Sequence, residues 1–289
     1  MPRTNHVWGI LLAAGAAIIF SPAAIFVKMA GSVSMWEISC LRLLFASLTT
    51  ALMAFLTNTP LKPKTSELKP LAACAAITAL HFTCFTAALE RTSVAHTLSL
   101  TYTAPVFSAF LAQFFLDEEL SWKQYIGIFA VVFSVSMLCF SKNNMYQFSH
   151  SGNAIALLSG FALGSYHLIG RAFGRKLPLF RYAFWLYFGA GLYLLPFAWP
   201  FASNYERSSL LAIFLQGGLC TAVGHTLTNA ALRFTHTAHV SMIVTQEVTG
   251  GVFLAAIVLG EKPNPSAYLA LLALFFGLAA ILEFKRTDQ

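Results

Sequence analysis

Long apolar runs separated by short polar segments dominate the hydrophobic pattern of this chain. Several of these runs reach the roughly 20 residues that an α-helix needs to cross the hydrocarbon core of a bilayer. The pattern therefore predicts an all-α integral membrane protein with ten transmembrane helices, whose ends are fixed only to within a few residues. The predicted spans are residues 7–28, 35–56, 71–89, 94–116, 125–140, 152–173, 182–201, 210–232, 238–259 and 268–284.

The second half of the sequence repeats the first at a constant offset of 143 residues (230 minus 87). Residues 87–118 and 230–261 share an Ala-Ala-Leu start, an Ala-His pair and a final Glu at matching positions. The same offset relates Lys28 to Arg171. A constant offset over most of the length indicates two copies of one structural unit. The predicted copies, with five helices each, are residues 1–145 and 146–289.

The odd number of helices in each copy determines how the two copies are oriented. After five crossings the chain enters its second copy from the opposite side of the membrane, which predicts an inverted repeat. Of the 18 Lys and Arg residues, 12 fall on the side of the two termini, 5 on the other side, and Arg42 within a span. Because Lys and Arg accumulate in cytoplasmic loops, both termini are predicted to be cytoplasmic.

Composition supports the membrane assignment and argues against most other classes of protein. Hydrophobic residues make up 57% of the chain and charged residues 10%, whereas roughly a quarter of the residues in soluble proteins are charged. The net charge of +7 follows the predicted topology, so we expect no nucleic-acid partner. The five cysteines lie singly in apolar runs, as small buried side chains do, and predict no metal site. Neither a phosphate-binding loop nor a His-Glu-x-x-His motif is present, so we predict neither an enzyme nor a cofactor.

Polar side chains at membrane depth are the candidates for function, because such groups are costly in lipid and usually face a cavity or a partner. Glu247 lies about ten residues into its span, where it either exchanges a proton for a substrate cation or holds a structural hydrogen bond. His96 and His239 are repeat equivalents, and each begins a helix face with further polar residues. The predicted substrate-binding residues are Glu247, Gln246, His239, His96, Thr103, Tyr102, His81, Phe82, Asn229 and Tyr166.

Alternatives stay open for most of these residues. The histidines and Asn229 either line a pore or hydrogen-bond between helices, and the aromatic residues either stack on a substrate or pack against lipid and neighbouring helices. Arg42 is predicted to pair with Glu37 or to extend toward the membrane surface, and Glu118 to lie at a helix end. Ser21-Pro22 lies near the middle of the first span, where a proline removes a backbone hydrogen bond.

Several local patterns accompany the two five-helix copies. Lys28 closes the first span, residues 103–107 read Thr-Ala-Pro-Val-Phe, and the copies end in Leu-Asp-Glu at 116–118 and Leu-Gly-Glu at 259–261. Together these features resemble the drug/metabolite transporter superfamily, EamA type. The resemblance implies a secondary-active carrier in the bacterial inner membrane. It would move a small organic metabolite by alternating access, as a monomer or a homodimer, with protons as candidate coupling ions.

The resemblance leaves the substrate open. The first expectation is export of amino acids or related compounds, and the alternative is import or exchange of S-adenosylmethionine-like or nucleotide-like metabolites. A non-transporting receptor or scaffold is the alternative from another class. It is disfavoured because a scaffold has no need of Glu and His side chains in the middle of symmetry-related helices.

Overall fold

The computed structural model describes residues 3–120, 122–139 and 149–260, and this part of the chain contains helices and no strand. Thirteen α-helices were found there: α1 (Arg3–Phe20), α2 (Ala23–Met29), α3 (Met35–Leu56), α4 (Thr65–Arg91), α5 (Val94–Thr101), α6 (Ala104–Leu116), α7 (Trp122–Cys139), α8 (His150–Ala172), α9 (Leu179–Ala198), α10 (Arg207–Leu215), α11 (Thr226–Phe234), α12 (Thr237–Val244) and α13 (Glu247–Val258). A 3₁₀ turn, Gly174–Lys176, follows α8, and a π-helix, Gln216–His225, joins α10 to α11.

Seven helical segments of the described residues are long and apolar enough to cross a membrane. They are His6–Met29, Met35–Leu56, Thr65–Arg91, Val94–Leu116, His150–Lys176, Arg207–Phe234 and Thr237–Val258. Helices α7 and α9 occupy two further predicted spans. The predicted span 268–284 lies outside the described residues, so the count of ten helices stays a prediction.

Three of the spans are interrupted near their middle. The first breaks at Ser21-Pro22, where the proline cannot donate a backbone hydrogen bond. The segment Val94–Leu116 breaks at Tyr102-Thr103 between α5 and α6, and the segment Thr237–Val258 breaks at Thr245-Gln246 between α12 and α13. The last two breaks are 143 residues apart (245 minus 102), the same offset that relates the two halves of the sequence. This interruption is therefore repeated in structure, whereas α8, the repeat equivalent of the first span, is continuous.

Helices from the two halves of the chain pack closely against each other. Helix α3 contacts α9, α4 contacts both α8 and α9, and α6 contacts α8. Small residues allow these contacts, as is common between membrane helices. A Cβ added to Gly164 of α8 would lie 2.8 Å from Phe107 Cβ, and one added to Gly189 of α9 would lie 2.8 Å from Ala75 Cβ. The buried core is thus shared between the halves and surrounds the interrupted spans.

Candidate functional site

The three interruptions converge on one small buried cavity. Phe20 and Ala23 flank the break in the first span, Thr101 and Tyr102 lie at the second break, and Glu247 directly follows the third. The remaining lining residues are Arg42, His81, Phe82, Phe85 and His225. The cavity measures about 20 Å³, which is room for about one water molecule. Interrupted helices near the middle of a membrane are where secondary transporters commonly bind substrates and ions.

A buried cation lies at this cavity. Arg42 is 2% exposed and donates hydrogen bonds to Thr221 Oγ1 from Nε (3.2 Å) and Nη2 (3.0 Å). Its guanidinium carbon lies 4.3 Å from the centroid of the Phe82 ring, a cation–π contact. Within the described part of the chain, Nη1 has no hydrogen-bond partner. Neutral groups therefore hold the guanidinium in place, and one donor is left for an acceptor in the cavity.

The predicted role of Arg42 at the membrane surface is wrong, and so is its predicted pairing with Glu37. Glu37 accepts hydrogen bonds from Tyr205 Oη (2.6 Å) and from the Ser203 amide (3.2 Å). At 3.6 residues per turn, five residues place Glu37 and Arg42 about 140° apart around the helix, so their side chains point to different neighbours. A charged residue inside a membrane span is by default a candidate for function. The position of Arg42 within a predicted span was therefore the sequence feature that could have identified it as a site residue.

Local structure explains how Arg42 is held. Thr221 lies in the π-helix Gln216–His225, and its hydroxyl donates to the Gln216 carbonyl at 3.0 Å while accepting from Arg42. A Cβ on Gly217 would lie only 2.8 Å from Phe45 Cβ, so the missing side chain lets this segment approach α3. Single turns of π-helix are often found at functional sites.

A buried carboxylate lies at the same cavity. Glu247 is the first residue of α13 and is 4% exposed. The Tyr102 hydroxyl donates a hydrogen bond to Glu247 Oε2 and so joins the breaks of the two interrupted, repeat-equivalent spans. The N-terminus of α13 contributes a partial positive charge that favours a negative group there. Arg42 comes from the first half of the chain and Glu247 from the second, so the site requires both.

Aromatic rings complete the lining. The His225 ring lies 4.4 Å from the Phe20 ring and 4.9 Å from the Phe82 ring, measured between centroids. His81 Nδ1 lies 3.0 Å from Ser159 Oγ, within hydrogen-bond distance, and its ring is 4.9 Å from that of Phe82. The cavity therefore combines one guanidinium, one carboxyl group and several aromatic faces.

The structure brings four of the ten predicted substrate-binding residues to the cavity. They are His81, Phe82, Tyr102 and Glu247. Tyr166 and Asn229 lie one layer behind, where Asn229 Nδ2 donates to Tyr166 Oη at 2.7 Å and the Tyr166 ring is 5.4 Å from that of His225. Six further residues line the cavity but were not among the predicted substrate-binding residues: Phe20, Ala23, Arg42, Phe85, Thr101 and His225.

The other four predicted residues do not line this cavity. Thr103 donates to the Leu100 carbonyl at 2.7 Å, and Gln246 accepts from Thr249 at 3.4 Å. His96 Nδ1 lies 3.2 Å from Thr92 Oγ1 near the start of α5, and the His239 ring lies 5.5 Å from that of His6 near the start of α12. Their roles in substrate binding stay predictions.

A larger groove, of about 460 Å³, lies between α4 and α9. Its lining is almost entirely apolar, and Leu68, Leu192 and Tyr193 are about half exposed. It carries none of the charge found at the central cavity. We therefore locate the candidate functional site at the convergence of the interrupted spans and not at this groove.

Comparison with known proteins identifies the family to which the chain belongs. The model of the EamA-like transporter family matches the chain twice, over residues 7–140 and 150–283. The chain belongs to the EamA-like transporter family. This EamA-like chain is accordingly a multi-pass membrane transporter, a class that performs transport and not enzyme chemistry.

Two further comparisons concern fold and relatives. A solved structure, described only as the crystal structure of a protein, covers 97% of this EamA-like chain and 99% of its own length, with a TM-score of 0.80 and 14% sequence identity. At this identity the likeness shows the fold alone. No curated protein matches the chain. The substrate must therefore be argued from the site.

Proposed function

We propose that this EamA-like transporter carries zwitterionic amino acids by alternating access. The observation that carries the proposal is the presence of the Arg42 guanidinium and the Glu247 carboxylate at one buried cavity. A free amino acid offers the complementary pair of charges. Its carboxylate would accept from Arg42 Nη1, and its ammonium would approach Glu247 and Tyr102. Charge-assisted hydrogen bonds of this kind are roughly twice as strong as neutral ones.

The alternatives fit this pair of charges less well. A nucleotide-like metabolite would place phosphate charge near Glu247 and would satisfy Arg42 alone. An S-adenosylmethionine-like metabolite carries the same amino and carboxylate groups with a bulky base. The aromatic rings of Phe20, Phe82 and His225 favour it as the second candidate, because aromatic side chains stack on planar groups.

The small size of the cavity supports a carrier that changes conformation to admit its substrate. A volume of about 20 Å³ holds a water molecule and not an amino acid. The helix breaks at Ser21-Pro22, Tyr102-Thr103 and Thr245-Gln246 border the cavity and supply points where half-helices can rotate. Opening at these breaks would admit the substrate from one side at a time.

Glu247 is the proposed coupling group. With the substrate bound, the ammonium compensates the carboxylate; without it, a proton can take that place. Exchange of the two on one buried carboxylate would couple amino-acid movement to proton movement in the opposite direction. The proposed net direction is export from the cytoplasm, which the comparisons do not test.

The proposed architecture has ten helices in two inverted repeats, residues 1–145 and 146–289, in the bacterial inner membrane. The matched helix breaks and the basic residues on the side of the termini support it. An impermeant thiol reagent applied to intact cells should label a cysteine at position 149 and not one at position 64. Labelling of position 64 but not 149 would reverse the orientation.

The proposal is tested by counterflow in proteoliposomes. Vesicles loaded with one amino acid at a time should accumulate the same radiolabelled amino acid through the wild-type protein and not through Arg42→Gln. S-adenosylmethionine and a nucleotide serve as comparison substrates. Counterflow of the nucleotide with no counterflow of any amino acid would overturn the proposed function.

A further inference from the structure

The two central breaks divide their spans into half-helices that pair on either side of the cavity. Helix α6 packs against α12, and α5 packs against α13. Ala109 of α6 shares a small apolar cluster with Ala238 and Met242 of α12. Each pair joins one half-helix from the first repeat to one from the second. Separating a pair would open the cavity toward the end of the molecule on which that pair lies.

One acidic residue fastens the α6–α12 pair. Glu118, just after α6, accepts a hydrogen bond from the backbone amide of Thr237, the first residue of α12, at 3.0 Å. It also forms an ion pair with Arg171 Nε at 2.8 Å, and its side chain is only 11% exposed. His236 Nδ1 lies 3.6 Å from the same carboxylate. These contacts cross from the first repeat to the second.

The partners of Glu118 are themselves held firmly. Arg171 Nη1 donates to the Leu232 carbonyl at 2.8 Å, which ties the end of α8 to α11. In return, Arg233 Nη2 donates to the carbonyls of Gly174 (3.1 Å) and Leu177 (2.6 Å), just beyond α8. Glu118 therefore contacts a region of the second repeat in which hydrogen bonds from Arg171 and Arg233 already hold α8 and α11 together.

The carboxylate is suited to a permanent ionic contact. Burial by itself would raise the pKa of Glu118, but hydrogen bonds from His236, the Thr237 amide and Arg171 outweigh it and lower the pKa to about 2. The partial positive charge at the N-terminus of α12 acts in the same direction. Glu118 is thus ionised under physiological conditions, so a change of pH within that range does not weaken the contact by protonating the carboxylate.

We infer that Glu118 is the latch of one transport gate: its bonds to Arg171 and to the Thr237 amide must open before α6 and α12 separate and expose the central cavity. This inference rests on the alternating access proposed above and not on the amino-acid substrate. Under the proposed topology the latch lies on the cytoplasmic side. The inference assigns a role in transport to Glu118, which does not line the central cavity.

The test measures access to the cavity without any substrate. In a background with the five native cysteines replaced, Ala23→Cys places one thiol at the cavity, where Ala23 is 4% exposed. Right-side-out and inside-out vesicles are then treated with a membrane-impermeant maleimide. A separate Glu119→Cys protein reports which vesicle face carries the latch.

Glu118→Gln keeps the shape of the side chain and removes its charge. We expect the thiol introduced at position 23 to be labelled roughly tenfold faster from the latch face and unchanged from the other face, as expected when a charge-assisted contact is lost. Glu119→Gln is the matched control, since Glu119 is exposed and forms no ion pair within the described residues. It should leave labelling unchanged from both faces.

A second variant acts on the other side of the contact. Thr237→Pro removes the amide proton that Glu118 accepts, and proline is well tolerated at the first position of a helix. The preceding residue, His236, already has the extended conformation that proline requires (φ −65°, ψ 150°). This variant should speed labelling from the latch face as Glu118→Gln does.

Three outcomes would overturn the inference. Unchanged labelling in both variants would show that the contact does not limit access. Faster labelling from both faces, together with a lower melting temperature, would assign Glu118 a purely structural role. Faster labelling from the opposite face alone would place the gate elsewhere. In none of these cases would the proposed amino-acid substrate be affected, because no substrate is present.

Discussion

The two repeats share one helix break and differ in the chemistry of their cavity residues. The breaks at Tyr102-Thr103 and Thr245-Gln246 are repeat equivalents and pair their half-helices across the cavity. The two titratable residues of the central cavity that carry opposite charge types, Arg42 and Glu247, have no such equivalents. At the offset of 143 residues, Arg42 corresponds to Trp185 and Glu247 to Ala104.

This difference separates the helix breaks, at which we propose that the half-helices move, from the proposed substrate site. Equivalent breaks in both repeats allow equivalent motions on the two sides of the membrane, which alternating access requires. A single guanidinium from one repeat and a single carboxyl group from the other give one site whose two ends differ in chemistry. A symmetric pair of arginines or of glutamates would instead repel each other in a cavity of this size.

The third span of each repeat shows the same contrast. Helix α4 is continuous, and there Thr78 donates to the Cys74 carbonyl four residues earlier at 2.8 Å. Its repeat equivalent, Thr221, lies in the π-helix, where its hydroxyl reaches the carbonyl five residues earlier and is available to Arg42. The local change of helix type in the second repeat thus creates the partner for the cation of the first.

The largest expected effect is the loss of the cation. Arg42→Gln should weaken amino-acid binding by roughly 10- to 100-fold, because a hydrogen bond to a charged group contributes about 1.5–3 kcal/mol. Binding is measured by isothermal titration calorimetry with purified protein. The control is Trp185→Phe at the repeat-equivalent position, which should bind normally; equal losses in both variants would contradict the asymmetric site.

The second largest effect is expected from loss of the Glu247 carboxyl group, which should change how transport depends on pH. Glu247→Gln removes the group proposed to alternate between a proton and an ammonium, so counterflow should become independent of pH between pH 5 and pH 8. Tyr102→Phe, which removes only the hydrogen bond to Glu247, should keep the pH dependence. A Glu247→Gln protein with the wild-type pH profile would show that the carboxylate is structural.

The repeat-equivalent histidines should matter less. His96→Ala and His239→Ala each remove a buried ring that does not line the central cavity. We expect each to change binding affinity by less than about threefold, within the range of an indirect packing effect. A tenfold loss in either variant would return that histidine to the substrate path. The same calorimetric measurement decides between the two results.

The helices and the repeat could be predicted from sequence because both depend on local patterns. Apolar runs gave the helical segments up to residue 259, and Pro22 indicated the first break. The breaks at Tyr102-Thr103 and Thr245-Gln246 were not predicted, and neither pair contains Pro or Gly. Local propensity is a weak signal when tertiary packing determines where a helix ends.

The site could be predicted only in part. Tyr102 and Glu247 were each candidates, but their contact joins residues 145 positions apart and depends on how the two interrupted spans cross. Arg42 was assigned to a local partner because Glu37 is nearby in sequence. Its actual partner, Thr221, is 179 residues away and lies in a π-helix that no sequence pattern indicated.

The smallest expected effect concerns stability in acid. The pKa of Glu118 is about 2, below its ordinary value of 4.5, because the contacts with His236, Thr237 and Arg171 outweigh burial. Its contribution to stability is therefore complete above pH 4.5 and is lost as the pH falls toward 2. Between pH 5 and pH 3, the melting temperature of the wild type should fall by a few degrees more than that of Glu118→Gln. Parallel curves would contradict the lowered pKa.

The most direct test of the central claim compares ligands that differ in one charge. Binding is measured for an amino acid, its methyl ester, which lacks the carboxylate, and the matching acid without the amino group. The wild type should prefer the amino acid over both analogues by roughly tenfold or more. Arg42→Gln should lose the preference over the ester alone, and Glu247→Gln the preference over the deaminated acid alone. If the wild type binds the ester or the deaminated acid as tightly as the amino acid, the site does not recognise a zwitterion.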